Sequence, residues 1–305
     1  MTRPATARFD WLNGEVGDLR RQYERSFGMA EPGPDSWRTI EHGDGRLRLL
    51  VQHPRRTGAS DHAIIYFHGG GWIVGSPLTH ADISGHLSDC TGMTVFSVDY
   101  RLAPECPAPA PVVDGCLALS AVLRPDAEPG DIKGVFLCGD SAGGAIALAV
   151  ESQAPEAIRK HILGVCSFYG GFGLGESPSL REYGSRADGL DAACLERMWS
   201  LAHDLRVPSA YSVDTLGKAA GAPVYLLAGG RDPLRDDTLA LASAYRSCRR
   251  QHDLDLVEGQ AHGFLHDAGT SAAATEALRR ASTWMLSKCE EAPSRGVTSV
   301  RRTPA

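Results

Sequence analysis

Residues 134–145 read Gly134-Val135-Phe136-Leu137-Cys138-Gly139-Asp140-Ser141-Ala142-Gly143-Gly144-Ala145. An apolar run of strand length ends in a Gly-x-Ser-x-Gly turn and passes at once into Ala145-Ile146-Ala147-Leu148-Ala149-Val150, a helical stretch. Strand, sharp turn and helix in that order hold the central serine in a strained conformation that lifts its hydroxyl above a sheet. Glycine is required two residues before and two after it, because side chains there would collide across the turn. Ala142 opens the helix, where backbone N–H groups lack partners and the helix dipole favours an anion. Glycine makes up 34 of the 305 residues, so a bare Gly-x-Ser-x-Gly arises by chance in roughly one such chain in four. Its seat between strand and helix is what gives it meaning.

Outward from this turn, short apolar runs alternate with amphipathic stretches, the rhythm of an α/β fold with a mostly parallel central sheet flanked by helices. Strands are expected at Leu47–Gln52, Ala63–Phe67, Thr94–Val98, Gly134–Cys138, Ile162–Phe168, Pro223–Ala228 and Leu254–Val257. Ala63-Ile64-Ile65-Tyr66-Phe67 is apolar throughout, as strands buried on both faces are. Helices are expected at Val16–Ser26, Val112–Leu123, Ala142–Ser152, Asp191–Asp204, Asp236–Arg250 and Ala272–Leu286. The interval from Phe168 to Pro223 breaks the rhythm with glycine-rich turns and a single helical stretch, and a connection that long inside a compact domain serves as a lid or binding element. Residues 1–45 read as an N-terminal arm, 46–288 as the main domain, and 289–305 as a disordered tail.

Hydrophobic residues make up 43% and charged residues 22%, an ordinary globular balance. A net charge of -6, from 37 acids against 31 bases, argues against nucleic acid as a partner. Met1–Asp10 has no apolar run behind it and no stretch reaches membrane-spanning length, so a cytoplasmic protein is expected. The eight cysteines include no Cys-x-x-Cys pair and several lie in strand-like runs; buried free thiols are expected, not disulfides or metal ligands. Neither cofactor nor metal is implied, and oligomeric state is not readable.

A serine raised on such a turn needs an oxyanion site, an acid and a base. Ala63–Phe67 leads into His68-Gly69-Gly70-Gly71-Trp72, whose glycines let backbone N–H groups turn towards a developing oxyanion, each worth ~3 kcal/mol. His68 reads as a hydrogen-bonder that shapes this loop. In this strand–turn–helix class the acid follows the serine and the histidine comes last. Asp232, in Gly229-Gly230-Arg231-Asp232-Pro233-Leu234, follows the strand Pro223–Ala228 at its carboxyl end, where open α/β sheets place functional groups. Asp236 and Asp237 read instead as acids at a helix start. Of His252, His262 and His266, only His262 is both beyond the last strand and in a short loop, Glu258-Gly259-Gln260-Ala261-His262-Gly263-Phe264; His266 is left as a surface or supporting residue. Ser141 is then the nucleophile, His262 the base and Asp232 the orienting acid.

These motifs, together with Asp99-Tyr100-Arg101-Leu102-Ala103-Pro104-Glu105, resemble in order the hormone-sensitive-lipase-like family of α/β-hydrolase carboxylesterases, over residues 68–264. The resemblance implies a serine esterase acting through an acyl-enzyme, with the N–H groups of Gly70, Gly71 and Ala142 as the oxyanion hole. It also implies a structural role for Asp99–Glu105 and a helical cap built from residues 1–45 and about 169–215. Two departures stand out: the glycine-rich Phe168–Gly173 and Gln260-Ala261 before the histidine. Trp72, Phe172, Trp199 and Phe264 are candidates for a substrate pocket, and a compact cap would favour short acyl chains on small or aromatic alcohols. An amidase or formamidase on the same residues remains open, as does a biosynthetic lyase or cyclase. A non-catalytic binding protein would be expected to lack the serine or histidine. A zinc site on His80, His86 and Cys90 matches no common spacing.

Overall fold

Along Ala63–Phe67 the side chains alternate between two cores. Ala63, Ile65 and Phe67 join one hydrophobic cluster, while Ile64 and Tyr66 join the other. The same period-two split recurs at Val135 and Leu137 against Phe136 and Cys138, and at Val224 and Leu226 against Tyr225 and Leu227. Both faces of the sheet are therefore buried, which explains the unbroken apolar runs. The computed structural model describes residues 10–27, 36–43, 45–55, 60–107, 109–124, 132–185, 189–203, 209–219 and 221–291.

Eight strands form one sheet: β1 Trp37–His42, β2 Gly45–Gln52, β3 His62–Phe67, β4 Thr94–Asp99, β5 Gly134–Asp140, β6 Ile162–Phe168, β7 Val224–Gly229 and β8 His252–Val257. Their order is β1-β2-β4-β3-β5-β6-β7-β8. β1 and β2 are antiparallel to their neighbours, and the remaining pairings are parallel. The helices are α1 Val16–Phe27, α2 Ala81–Thr91, α3 Pro109–Val122, α4 Ala142–Gln153, α5 Glu156–Arg159, α6 Pro178–Tyr183, α7 Ala192–His203, α8 Val213–Leu216, α9 Arg235–Cys248 and α10 Ala272–Glu291. Buried residues of α3, α4 and α9 pack on the Ile65 side, and those of α2 and α10 on the Ile64 side. The loops after β3, β5, β7 and β8 consequently open at the same end of the parallel strands, where such sheets bind ligands.

The structure departs from the sequence reading in several places, among them the short helices α6 and α8, which join α7 in the interval read as holding a single helical stretch. β1 lies inside the stretch read as an irregular arm; Trp-Arg-Thr-Ile-Glu-His shows little apolar alternation because this edge strand is held by its ladder to β2 and by Arg48, whose guanidinium sits 4.2 Å from the Trp37 ring. α2 went unread because much of its buried face is hydroxyl. Beside Ile83 and Leu87 it buries Ser84, Ser88 and Thr91, satisfied in part by backbone carbonyls such as Thr91 Oγ1 to Leu87 O at 2.7 Å. α10 continues past residue 288 to Glu291, with Lys288 Nζ bonded to Glu291 at 2.8 Å; residues 292–305 lie outside the described residues. All eight cysteines are free, but only Cys138, Cys166 and Cys194 are buried, while Cys90 and Cys248 are exposed. Among the described residues no helix is long and apolar enough to cross a membrane.

Candidate active site

Ser141 sits between β5 and α4 with φ 52° and ψ −121°, and its N–H donates to Phe168 O at 2.8 Å. Such a backbone is tolerated only where the surroundings fix it, and here they do. A Cβ on Gly143 would lie 2.0 Å from Phe67 O, and one on Gly139 would lie 2.3 Å from Gly143 O. His262 Nε2 stands 2.9 Å from Ser141 Oγ. On its other side, His262 Nδ1 stands 3.0 Å from both carboxylate oxygens of Asp232. Asp232 is fully buried, and its Oδ1 also accepts the Leu234 N–H at 2.7 Å. Burial opposes charge on His262, but the Asp232 carboxylate, helped by Asp140 and Asp237, holds its pKa above the ordinary histidine value. The three residues chosen from sequence thus form one continuous hydrogen-bonded chain.

The glycine loop approaches the serine from β3. Gly70 and Gly71 have φ of 115° and 59°, and Gly70 O accepts the N–H groups of Ile73 and Val74 at 3.1 and 3.0 Å. A Cβ on Gly70 would fall 2.1 Å from Val74 O, so this turn admits glycine alone. Among the described residues, no acceptor occupies the N–H groups of Gly70, Gly71 or Ala142, and all three residues line the cavity above Ser141. Residues 64–266 match the model of a family described as alpha/beta hydrolase fold. The chain belongs to the α/β-hydrolases.

The matched family is the hormone-sensitive-lipase-like carboxylesterase branch of that fold. An acetyl esterase of Salmonella paratyphi B is 27% identical over 293 residues, covering 90% of this chain and 88% of its own. An esterase of Pyrobaculum calidifontis superposes with a TM-score of 0.81 at 26% identity, over 93% of this chain and 96% of that one. A thermostable carboxylesterase cloned from a metagenomic library gives a TM-score of 0.78 at 27% identity, over 90% and 98%.

In this α/β-hydrolase the cavity above Ser141 measures about 990 Å³. Trp72, Trp199 and Phe264 line it. Phe172 does not. It is 1% exposed in the core, and its N–H donates to Asp237 Oδ1 at 2.6 Å. Asp237 is correspondingly more than a helix-start acid: it is buried, also accepts Leu174 N–H at 3.2 Å, and burial pushes its carboxyl up to about 6. It fastens the glycine-rich segment after β6. Gln260 and Ala261 both border the cavity.

His68 has the structural place expected of it. Its Nδ1 lies 2.7 Å from Gly69 O, the Tyr100 ring stacks on it at 4.2 Å, and burial lowers its pKa to about 3, so it stays neutral. Asp99–Glu105 braces the same region, through Tyr100 and through Ala103 N–H to Trp72 O at 3.0 Å. Sequence reasoning missed Arg20. From α1 it donates to Ile73 O at 2.8 Å and Ala103 O at 2.7 Å and pairs with Glu105, tying the arm to the glycine loop. Tyr23 and Phe27 of the same helix and Leu195 and Met198 of α7 line the cavity. Asp140 was also missed: Tyr66 Oη and Gly69 N–H donate to its Oδ1 at 2.8 and 2.9 Å. Burial opposes its charge, but His80, His266 and Tyr66 hold the carboxyl well below the ordinary range. The zinc trio does not converge: His86 Nδ1 is bonded to Asp82 O at 2.8 Å and Cys90 is exposed.

Proposed function

We propose that the protein is a carboxylesterase that cleaves short-chain esters of small or aromatic alcohols through an acyl-enzyme on Ser141. The observation that carries this reading is the chain Ser141 Oγ–His262 Nε2 at 2.9 Å and His262 Nδ1–Asp232 at 3.0 Å, standing beside backbone donors that have no acceptor among the described residues. His262 takes the Ser141 proton as Oγ attacks the ester carbonyl. The N–H groups of Gly70, Gly71 and Ala142 receive the oxyanion. Collapse of the tetrahedral adduct expels the alkoxide, which takes the proton back from His262. A water, deprotonated by the same histidine, then releases the acid and restores Ser141. Asp232 holds the imidazole with Nδ1–H towards it and stabilises the imidazolium. Helices α1 and α7 serve as the cap over this cavity.

The cavity is roomier than a compact cap would leave, at the upper end of the usual range for small-molecule pockets. The short-acyl preference therefore draws its support from the acetyl esterase relative, with Trp72 and Phe264 nearest the oxyanion loop and the base. The remaining space takes the alcohol. Hydrolysis of p-nitrophenyl acetate, butyrate and octanoate, and of p-nitroacetanilide, by wild type and Ser141→Ala tests the reading. Turnover that favours acetate, spares the anilide and vanishes in Ser141→Ala is expected. Preference for the anilide would move the assignment to an amidase, and equal rates in both proteins would remove Ser141 from it.

A further inference from the structure

Beside the serine turn, on the side away from His262, three metal-competent side chains meet. His80 is buried, Asp140 is buried, and His266 is partly buried; one ligand atom from each lies within 4.8 Å of the others. His80 Nε2 stands 3.5 Å from Asp140 Oδ2, and the His80 and His266 rings are 4.5 Å apart. Asp140 and His266 line the cavity above Ser141, so a small cation reaches them without any opening of the core.

The proton inventory shows what this corner attracts. Thr79 Oγ1 donates its only hydrogen to Ser76 O at 2.9 Å and accepts from Ser76 N–H at 2.9 Å. Towards His80 Nδ1, 2.8 Å away, it can act only as an acceptor. With a hydrogen on Nδ1 donated to Thr79, His80 turns its Nε2 to the corner. Asp140 Oδ1 is taken by Tyr66 and Gly69, which leaves Oδ2 facing His80 Nε2. Among the described residues, the backbone donor directed at Nε2 is Gly69 N–H, at 3.2 Å, and it is shared with Asp140 Oδ1. An imidazole nitrogen and a carboxylate oxygen thus converge in a buried place, with a second imidazole beside them, and these are the donor types that hold divalent transition metals. In a tetrahedral shell with bonds of about 2.0 Å, ligand atoms are about 3.3 Å apart. The His80–Asp140 edge has nearly that length already, and a ring nitrogen of His266 lies within 4.8 Å of both ligand atoms. The Thr79 contact supplies the outer hydrogen bond that metal-binding histidines regularly make.

We propose that His80, Asp140 and His266 form a binding site for a divalent transition-metal cation of the Zn²⁺ class, and that occupancy slows turnover. Imidazole nitrogen and carboxylate oxygen suit Zn²⁺ far better than Ca²⁺ or Mg²⁺. The effect on rate follows from Gly69, whose N–H is held by the two groups that the cation takes as ligands. Gly69 leads directly into Gly70 and Gly71, so a pull on its anchors shifts the oxyanion donors and lowers kcat more than it raises KM. Binding is independent of the esterase reading; only the inhibition rests on it.

The test uses the full chain, untagged and EDTA-stripped, with Cys90→Ser and Cys248→Ser removing the two exposed thiols. Zn²⁺ is titrated by calorimetry, Co²⁺ by its visible absorption, and ester hydrolysis is followed in parallel, each variant against its own EDTA-treated rate. One saturable site is expected, with the inhibition midpoint matching the binding midpoint. His266→Ala should weaken binding by at least about 100-fold, and Thr79→Val by about 10- to 100-fold. No saturable binding, or binding unchanged in His266→Ala, would overturn the site. Binding at the site with no loss of kcat would overturn the inhibition alone. A chain with no esterase activity would still report the site through the Co²⁺ spectrum.

Discussion

Replacing Asp232 with asparagine tests the Ser141–His262–Asp232 hydrogen-bonded chain at its buried end. Leu234 N–H donates to Oδ1 at 2.7 Å, which requires an acceptor there, so the amide oxygen of the new side chain takes the Oδ1 position. The amide NH₂ then occupies the Oδ2 position, 3.0 Å from His262 Nδ1, and donates to it. That bond favours the tautomer with hydrogen on Nε2, which can no longer accept the Ser141 proton across 2.9 Å. In a triad of this geometry the wrong tautomer costs about 10⁴ in turnover, or roughly 5 kcal/mol of transition-state stabilisation. The assay is kcat/KM for p-nitrophenyl acetate from pH 5 to 9. In the wild type the rate should fall as pH drops through the raised pKa of His262, with the limb centred above 6.5, because only the neutral ring accepts a proton. In Asp232→Asn the residual rate should show that limb moved to lower pH, since burial alone lowers the pKa. A loss under tenfold with the limb unmoved would refute the reasoning.

Other expectations follow from single contacts. Asp237, raised by burial to about 6, binds its proton more tightly folded than unfolded, so the folded state is favoured below pH 4 and that gain is lost as pH rises to about 6. Asp237→Asn keeps an acceptor for Phe172 and Leu174 and should remove on the order of 3 kcal/mol of that slope, measured by urea unfolding at each pH; an unchanged slope would count against it. Phe172→Ala should cost about 3–5 kcal/mol of stability with little change in acyl preference, whereas Trp199→Ala should alter preference across the acetate–octanoate series with little cost in stability. The reverse pattern would return Phe172 to the pocket. Arg20→Ala removes its bonds to Ile73, Ala103 and Glu105 and should lower stability by about 1–3 kcal/mol and raise KM; a shift under about 0.5 kcal/mol would show that α1 is held by other contacts.

The strands and the three aligned residues were legible because each carries a local signature. β3 and β5 are apolar at nearly every position, and Ser141, Asp232 and His262 each follow a strand at its carboxyl end. What escaped was fixed by partners distant in sequence. Trp37–His42 becomes a strand only through its ladder to β2, and α2 hides its buried face in hydroxyls that bond to carbonyls. Phe172 and Asp237 are joined by one hydrogen bond across 65 residues, which no local pattern announces. Asp140 was read only as the variable position of the serine turn. Its contacts to Tyr66, Gly69 and His80 come from separate elements and leave no local pattern to find.

The most direct test of the central claim is phosphonylation with a p-nitrophenyl phosphonate, an ester analogue whose serine adduct does not hydrolyse. One equivalent of p-nitrophenol per chain, loss of esterase activity in proportion, and an adduct mapped by mass spectrometry to Ser141 are the expected result. His262→Ala should slow the reaction severely. Full esterase activity after the reagent is consumed, or an adduct on any other residue accompanying inactivation, would contradict Ser141 as the nucleophile.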